Sequence, residues 1–176
     1  MAHLQPDSPY ASERYAAPTT SVEFPPEAKA KFDALLERYP TKEAALLPTL
    51  HLSQEVFGWI SPEVMVYVSG LLELEPAKVF GVVTFYNMYN QRPVGTHHVQ
   101  VCTNLSCMIR NAYDIYDHCL SKLGLHPGET TKDGRITVTE VECLGSCGTA
   151  PVVQINNDYH ENASVEQIDK LLDSLK

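Results

Sequence analysis

Four of the five cysteines in the 176-residue chain form two close pairs. Cys102 and Cys107 lie in the stretch VCTNLSC with four residues between them, and Cys143 and Cys147 lie in ECLGSCG with three between them. Thirty-five residues separate the two pairs. Four thiolates can bind a zinc ion, bind an iron–sulfur cluster or form two disulfides, and the spacing helps to discriminate among these chemistries.

The gaps within the pairs favour an iron–sulfur cluster. Structural zinc prefers a gap of two residues, which wraps a loop tightly around one small ion. A [2Fe–2S] cluster has two irons that each need two thiolates, and a wider first gap lets the loop bend around an inorganic sulfide. Rieske ligation requires C-x-H pairs, which the sequence lacks. All-cysteine ligation of a cluster is therefore favoured, and a zinc-stabilised interaction module remains the alternative from another class.

Disulfides and thiol redox chemistry fit the sequence least well. No C-x-x-C of the thioredoxin type occurs in the chain. The first residues, MAHLQPDSPYASERYAAPTTSV, lack the apolar run of a secretory signal, and Asp7 and Glu13 are unlike a transit peptide. No window approaches the roughly 18 apolar residues of a membrane span. We therefore expect a reducing, cytoplasmic setting without direct membrane insertion, where clustered cysteines more often bind metal.

The charge balance narrows the choice of partners. The chain has 13 Lys and Arg against 22 Asp and Glu, a net charge of −9, which argues against nucleic acid or an anionic membrane as the main partner. Its nine glycines never form G-x-G-x-x-G, so we expect no nucleotide site of its own. The fifth cysteine, Cys119, follows the apolar periodicity of a helix and is interpreted as a small buried side chain.

The N-terminal half of the sequence predicts an arm followed by helices. Residues 1–23 are rich in Pro, Ser, Thr and Ala without periodicity and predict a flexible arm. Residues 24–92 predict four short helices packed as a bundle, in which Gly58 ends the second and Ser61 caps the third. We expect Pro48 to kink the second helix about one turn from its start, and the aromatic run FYNMYN to serve packing.

Residues 93–176 alternate strand and helix. HHVQVC and RITVTEVEC predict strands, and SCMIRNAYDIYDHCLSKLG predicts one continuous helix between them. Its apolar face is expected to comprise Ile109, Ala112, Tyr113, Tyr116, Leu120 and Leu123. A hairpin turning at Asn157 and Asp158 follows, and then a helix with a capping box at Ser164. The order β-α-β-β-α predicts a small sheet covered by helices, hence an α+β chain, with both cysteine pairs converging at one end of the sheet.

On these features the chain, from about Phe24 to Leu175, resembles the small thioredoxin-like [2Fe–2S] subunit of respiratory complex I, the NADH–quinone oxidoreductase. The resemblance is carried by GVVTFYNMY, VCTNLSC, PGE followed by DG, and VECLGSCGTAPVVQIN. It implies a helical bundle followed by a thioredoxin-like domain, and it implies that Cys102, Cys107, Cys143 and Cys147 are the four cluster ligands.

The resemblance also implies a function and partners. The chain would store one electron on its cluster, taken from the FMN of a flavoprotein subunit that also binds NADH, and would contact other subunits in the peripheral arm of a membrane-bound complex. The same family serves NAD-linked hydrogenases and formate dehydrogenases, which are the alternative assemblies. A free-standing ferredoxin is a further rival, although a diffusing carrier would not need the helical bundle.

Such a role requires no acid, base or nucleophile from this chain. A cluster bound by four thiolates gains negative charge on reduction, so hydrogen-bond donors near it favour reduction and acids oppose it. The candidate donors are the hydroxyls of Thr103, Ser106 and Ser146 and the amides of Gly145 and Gly148. Arg110 is the one cation at the edge of the two motifs. We expect a low potential in so acidic a chain.

Overall fold

The computed structural model describes residues 22–175, which divide into two compact units between Pro93 and Val94. The arm predicted for residues 1–23 therefore lies, apart from its last two residues, outside the described residues. The α+β class is confirmed. Among residues 22–175, no helix combines the length and hydropathy needed to cross a membrane.

The first unit is a bundle of four helices, as predicted. They are α1 (Pro26–Leu36), α2 (Leu46–Phe57), α3 (Pro62–Leu72) and α4 (Pro76–Phe85). Gly58 ends α2 in the left-handed conformation, with φ 81°, and the Ser61 hydroxyl caps α3 by accepting from the Val64 amide. The helices share one apolar core, which includes Phe32, Leu50, Val64, Val68, Val79 and Val83.

Two details of the first unit differ from the prediction. A short 3-10 turn, Glu43–Ala45, precedes α2, so Pro48 lies in the first turn of α2 and its missing N–H breaks no helical hydrogen bond. The lost hydrogen bond on which the predicted kink rested is therefore absent. The aromatic run is not mainly packing either, because Phe85 is 79% exposed and Tyr89 is the one aromatic side chain of the run that is buried.

The second unit is a four-stranded sheet covered by helices. Its strands are β1 (His97–Cys102), β2 (Ile136–Val141), β3 (Val153–Ile155) and β4 (Asp158–His160), and its helices are α5 (Leu105–Ile109), α6 (Ala112–Leu123) and α7 (Val165–Ser174). The strand order is β2-β1-β3-β4; β1 and β2 are parallel and the other pairs antiparallel. The core includes Val99, Val101, Ile115, Cys119, Val138, Val153 and Ile168.

The parallel pairing of β1 with β2, which brings the cysteine pairs together, begins just after a close backbone approach at Gly95. A side chain there would place its Cβ 2.6 Å from the Arg135 carbonyl oxygen, so only glycine allows this approach. The His97 amide then donates to the Arg135 carbonyl at 2.7 Å. From this start the register runs to Cys102 opposite Val141, and both strands end at the same edge of the sheet.

The predicted long helix is two helices. Asn111 has φ 66° and separates α5 from α6, so the two helices present different faces. Ile109 and Tyr113 are exposed, whereas Ile115 and Cys119 are buried with Ala112 and Tyr116. The predicted apolar face is therefore wrong at Ile109 and Tyr113.

The hairpin and the last helix follow the prediction more closely. Ile155 pairs with Asp158, so the turn consists of Asn156 and Asn157, one residue earlier than predicted, and Asn156 has the positive φ. The capping box at Ser164 is confirmed: its hydroxyl accepts from the Gln167 amide, and the Gln167 side chain accepts from the Ser164 amide.

Candidate metal centre

The first cysteine pair is positioned by secondary structure. Cys102 is the last residue of β1, and its amide donates to the Val152 carbonyl at 3.1 Å. Asn104 then caps α5 through its side-chain oxygen, which accepts from the Leu105 amide at 2.7 Å, and Cys107 lies in that helix. Both thiols are buried, Cys102 being 4% and Cys107 2% exposed.

The second pair lies on a loop. Cys143 follows the end of β2 by two residues, and Cys147 begins a 3-10 turn, Cys147–Thr149. Both cysteines are exposed. Between them Gly145 adopts φ 75°, and its amide donates to the Cys143 sulfur at 3.2 Å. Glycine adopts this left-handed conformation without strain, and the turn it makes points its amide at the thiol.

This loop, 143–149, which we call the ligand loop, is hydrogen-bonded to the segment around β4. The Tyr159 hydroxyl donates to the Leu144 carbonyl at 3.0 Å. The hydroxyls of Ser146 and Thr149 both donate to one carboxylate oxygen of Glu161, the latter at 2.7 Å. These contacts span 12 to 15 residues in sequence.

All four paired thiols line one cavity of about 190 Å³. The remaining lining residues are Asn104, Leu105 and Ser106. A [2Fe–2S] cluster requires two thiolates at each of two irons. Four free thiols around one shared cavity fit that requirement.

The thiols differ in their environment. Burial raises the pKa of the Cys107 thiol to about 11, and a hydrogen bond with Cys102 contributes to the rise. Coordination to a metal deprotonates a thiol outright, so cluster binding would release this proton. Burial also raises the pKa of Cys119 to about 11. Cys119 is fully buried in α6 and does not line the cavity, which confirms its interpretation as a small core residue.

The candidate donors have different places in the site. The Gly145 amide donates to a thiol, as predicted, and Ser106 lines the cavity. The Ser146 hydroxyl donates to Glu161, and its predicted role as a donor to the cluster stays a prediction. Sequence reasoning missed Glu161 and Tyr159, since no spacing rule links a loop to side chains 15 residues further along the chain.

Large apolar side chains are exposed next to the cavity. Leu105 is 62%, Met108 44% and Ile109 69% exposed in α5, and Tyr113 is 43% exposed in the following turn of α6. The break at Asn111 turns these side chains away from the core. Contiguous exposed apolar groups of this kind mark surfaces that bind other macromolecules.

Comparisons with known proteins bear on the family of the chain. Residues 32–176 match the family model of the thioredoxin-like [2Fe–2S] ferredoxin. A subunit of the NADH-quinone oxidoreductase of Rickettsia bellii (strain RML369-C) is 39% identical over 160 residues, which cover 89% of this chain and 96% of that protein. Its counterpart of the same name in Rickettsia typhi (strain ATCC VR-144 / Wilmington) is 42% identical over 144 residues, covering 80% and 85%.

A solved structure shares the fold. The NAD+-reducing [NiFe]-hydrogenase in its air-oxidised state aligns with a TM-score of 0.62 at 21% identity, covering 74% of this chain and 22% of the hydrogenase chain. At this identity the match concerns the fold alone.

Proposed function

The chain belongs to the thioredoxin-like [2Fe–2S] ferredoxin family, and from this premise we propose that Cys102, Cys107, Cys143 and Cys147 are the four ligands of its cluster. The observation that carries this proposal is the single cavity lined by all four thiols. The fifth cysteine is buried in α6 and lines no part of it. Each pair then supplies two thiolates, which matches the two irons of the cluster.

We further propose that the chain is the electron-transfer subunit of an NADH–quinone oxidoreductase, in the cytoplasmic peripheral arm of that complex. The proposed partner is the flavoprotein subunit that binds FMN and NADH, next to other peripheral-arm subunits. Two observations support this assignment. The relatives named as NADH-quinone oxidoreductase subunits match over up to 96% of their length, and the sequence offers no phosphate-binding glycine loop with which to take NADH itself.

When bound, a [2Fe–2S] cluster supplies one-electron storage. The residues of this chain set its surroundings. Cys102 and Cys107 anchor one side in the core, which excludes water from that side. Cys143 and Cys147 leave the other side open on the ligand loop, and the Gly145 amide offers a hydrogen bond to a ligand sulfur there. Such hydrogen bonds stabilise the more negative, reduced form.

The exposed residues of α5 support a partner at the cavity. Leu105 lines the cavity and is itself largely exposed, and Ile109 lies one turn further along the helix. A partner that covers these side chains removes apolar surface from water, which stabilises the association by roughly 25 cal/mol for each Å² buried. Electron transfer requires close approach, and this surface would provide it at the cavity.

The proposal is tested by reducing the anaerobically purified chain with NADH, alone and with the flavoprotein subunit of its own complex. We expect no useful reduction of the chain alone and rapid reduction once the flavoprotein is added. Ile109→Glu should slow this transfer while leaving the iron content and NADH oxidation by the flavin largely intact.

Lys170→Gln is the matched control, since it lowers the net charge by the same single unit on α7. It should transfer electrons at the wild-type rate. Rapid reduction of the isolated chain by NADH would contradict the proposed partnership, and equal rates for Ile109→Glu and wild type would contradict the α5 surface as its site.

A further inference from the structure

The ligand loop lacks a secondary-structure frame of its own for most of its length. Only its last three residues form a 3-10 turn, and Cys143 and Cys147 are both exposed. Burial therefore does not hold these thiols in place as it holds the first pair. Other contacts must hold them, because a cluster binds ligands at fixed separations. If the loop were not already ordered, ordering it on binding would cost conformational entropy.

Those contacts come from residues 159–163, which we call the clamp segment. Its backbone pairs with the end of the loop: the Asn162 amide donates to the Thr149 carbonyl at 2.7 Å, and the Ala163 amide donates to the Pro151 carbonyl at 2.9 Å. At the other end, the Tyr159 hydroxyl holds the Leu144 carbonyl. The clamp segment thus holds the loop on both sides of Cys147.

Glu161 is the centre of this arrangement. One of its carboxylate oxygens accepts from both Ser146 and Thr149, the residue immediately before Cys147 and the residue two positions after it. The two hydroxyls also lie within 2.7 Å of each other. Fixing the chain on both sides of Cys147 fixes the direction in which its thiol points.

The charge of Glu161 matches this role. Hydrogen bonds from the Ser146 hydroxyl first, and then from Thr149, lower the pKa of the Glu161 carboxyl, so the group is a carboxylate at neutral pH. Hydrogen bonds to an ionised acceptor are stronger than those between neutral groups.

We propose that Glu161 is a positioning residue for the metal centre: its carboxylate anchors Ser146 and Thr149 and thereby holds Cys147 in its ligating position. The inference rests on the proposed ligand role of Cys147. It assigns a function to an acidic side chain outside both cysteine motifs, which the spacing of the cysteines does not predict.

Two substitutions of Glu161 distinguish the effect of its hydrogen bonds from the effect of its charge. Glu161→Ala removes the carboxylate oxygen that accepts from both hydroxyls and leaves only the contacts within the loop, between the two hydroxyls and from Thr149 to the Ser146 carbonyl. Glu161→Gln keeps an acceptor oxygen and removes the charge. Asp158→Asn removes one carboxylate from the same hairpin, at a residue for which the structure shows no hydrogen bond to the ligand loop, and serves as the charge control.

Three readouts are measured on the full chain: the rate at which an iron chelator bleaches the visible absorption, the electron paramagnetic resonance spectrum of the reduced cluster, and the melting temperature. We expect Glu161→Ala to lose its cluster several-fold faster than wild type and to show an altered resonance spectrum, with a nearly unchanged melting temperature. Glu161→Gln should restore both cluster readouts most of the way to wild type, and Asp158→Asn should match wild type.

Wild-type kinetics and spectrum in Glu161→Ala would overturn the inference, as would equal loss in the alanine and glutamine variants. Hydrogen exchange of the metal-free chain tests the role of Glu161 independently of whether Cys147 binds the cluster. The Thr149 and Asn162 amides should exchange faster in Glu161→Ala than in wild type even if neither protein binds iron. Unchanged exchange at these amides would also count against the anchor.

Discussion

The two halves of the metal centre are built by different means. Cys102 and Cys107 are buried at the end of β1 and in α5, within the core of the second unit. Cys143 and Cys147 are exposed on the ligand loop, whose order comes from hydrogen bonds with residues 159–163. The first pair is thus part of the folded core, and the second pair is attached to it.

Because of this difference, substitutions in the first pair should affect both the stability of the fold and metal binding, whereas those in the second pair should affect metal binding alone. Removing a buried thiol creates a cavity in the core as well as removing a ligand, whereas removing an exposed thiol removes only the ligand. If the four cysteines bind the cluster as proposed, the same asymmetry would give it a protected side and an open side, and the open side would let it exchange electrons with a partner.

The largest effects are expected at the proposed ligands. Cys107→Ala and Cys143→Ala should both lose or distort the cluster, which visible absorption will show. In the metal-free chains the two should differ: we expect Cys107→Ala to cost about 1 kcal/mol of unfolding free energy and Cys143→Ala to stay within about 0.5 kcal/mol of wild type. Urea unfolding of both metal-free variants measures this. Equal stability losses would contradict the contrast between the pairs.

Cys119 tests whether burial alone makes a cysteine important to the cluster. Cys119→Ser places a hydroxyl in the core and should cost roughly 1 to 3 kcal/mol of stability. The cluster should remain, because Cys119 does not line the cavity. Iron analysis together with urea unfolding checks both parts, and loss of the cluster would show that a ligand has been misassigned.

The ligand loop offers a matched pair of glycines. Gly145 has φ 75°, and an added Cβ meets no atom within 4 Å, so Gly145→Ala should suffer from backbone strain alone, roughly 1 to 2 kcal/mol. Gly148 has no such φ and equally open space, so Gly148→Ala should be close to neutral. We expect faster loss of the cluster to a chelator only in Gly145→Ala. Similar bleaching rates for the two variants would argue against a strained turn at Gly145.

The smallest effect concerns the side-chain contacts between α6 and α7. Asp169 of α7 accepts from Lys122 and His118 of α6 at 2.8 and 2.7 Å, and Lys122 first, then His118, lowers the pKa of its carboxyl. A lowered folded-state pKa adds stability that is present at neutral pH and is lost as pH falls below about 4. Asp169→Asn should therefore melt slightly below wild type at pH 7.

The difference in melting temperature between Asp169→Asn and wild type should shrink as the pH falls. The substitution should leave the cluster spectrum unaffected. Melting curves of the metal-free proteins between pH 7 and pH 3 test it. A difference in melting temperature that persists at pH 3 would mean that the Asp169 carboxylate is not its source.

Local patterns in the sequence predicted the strand that ends at Cys102 and the starts of two helices elsewhere in the chain. The apolar alternation of HHVQVC gave the bounds of β1, and the capping residues Ser61 and Ser164 gave the starts of two helices. These features depend on neighbours in sequence, which is why periodicity and capping rules find them.

The features that were missed depend on tertiary contacts or on the conformation of single residues. The positive φ of Asn111 divides α5 from α6, although the apolar periodicity continues across it. The anchoring of the ligand loop by Glu161 joins residues 12 and 15 positions apart, and no local rule predicts such a pairing. The second pair could thus be recognised from its spacing, but the contacts that order it could not.

The central claim is that the four paired cysteines hold one [2Fe–2S] cluster, and the iron, sulfide and zinc content of the anaerobically purified full chain tests it most directly. We expect a red-brown protein with iron and inorganic sulfide in equal amounts, and loss of both in Cys143→Ala. A colourless protein with one zinc per chain would contradict it.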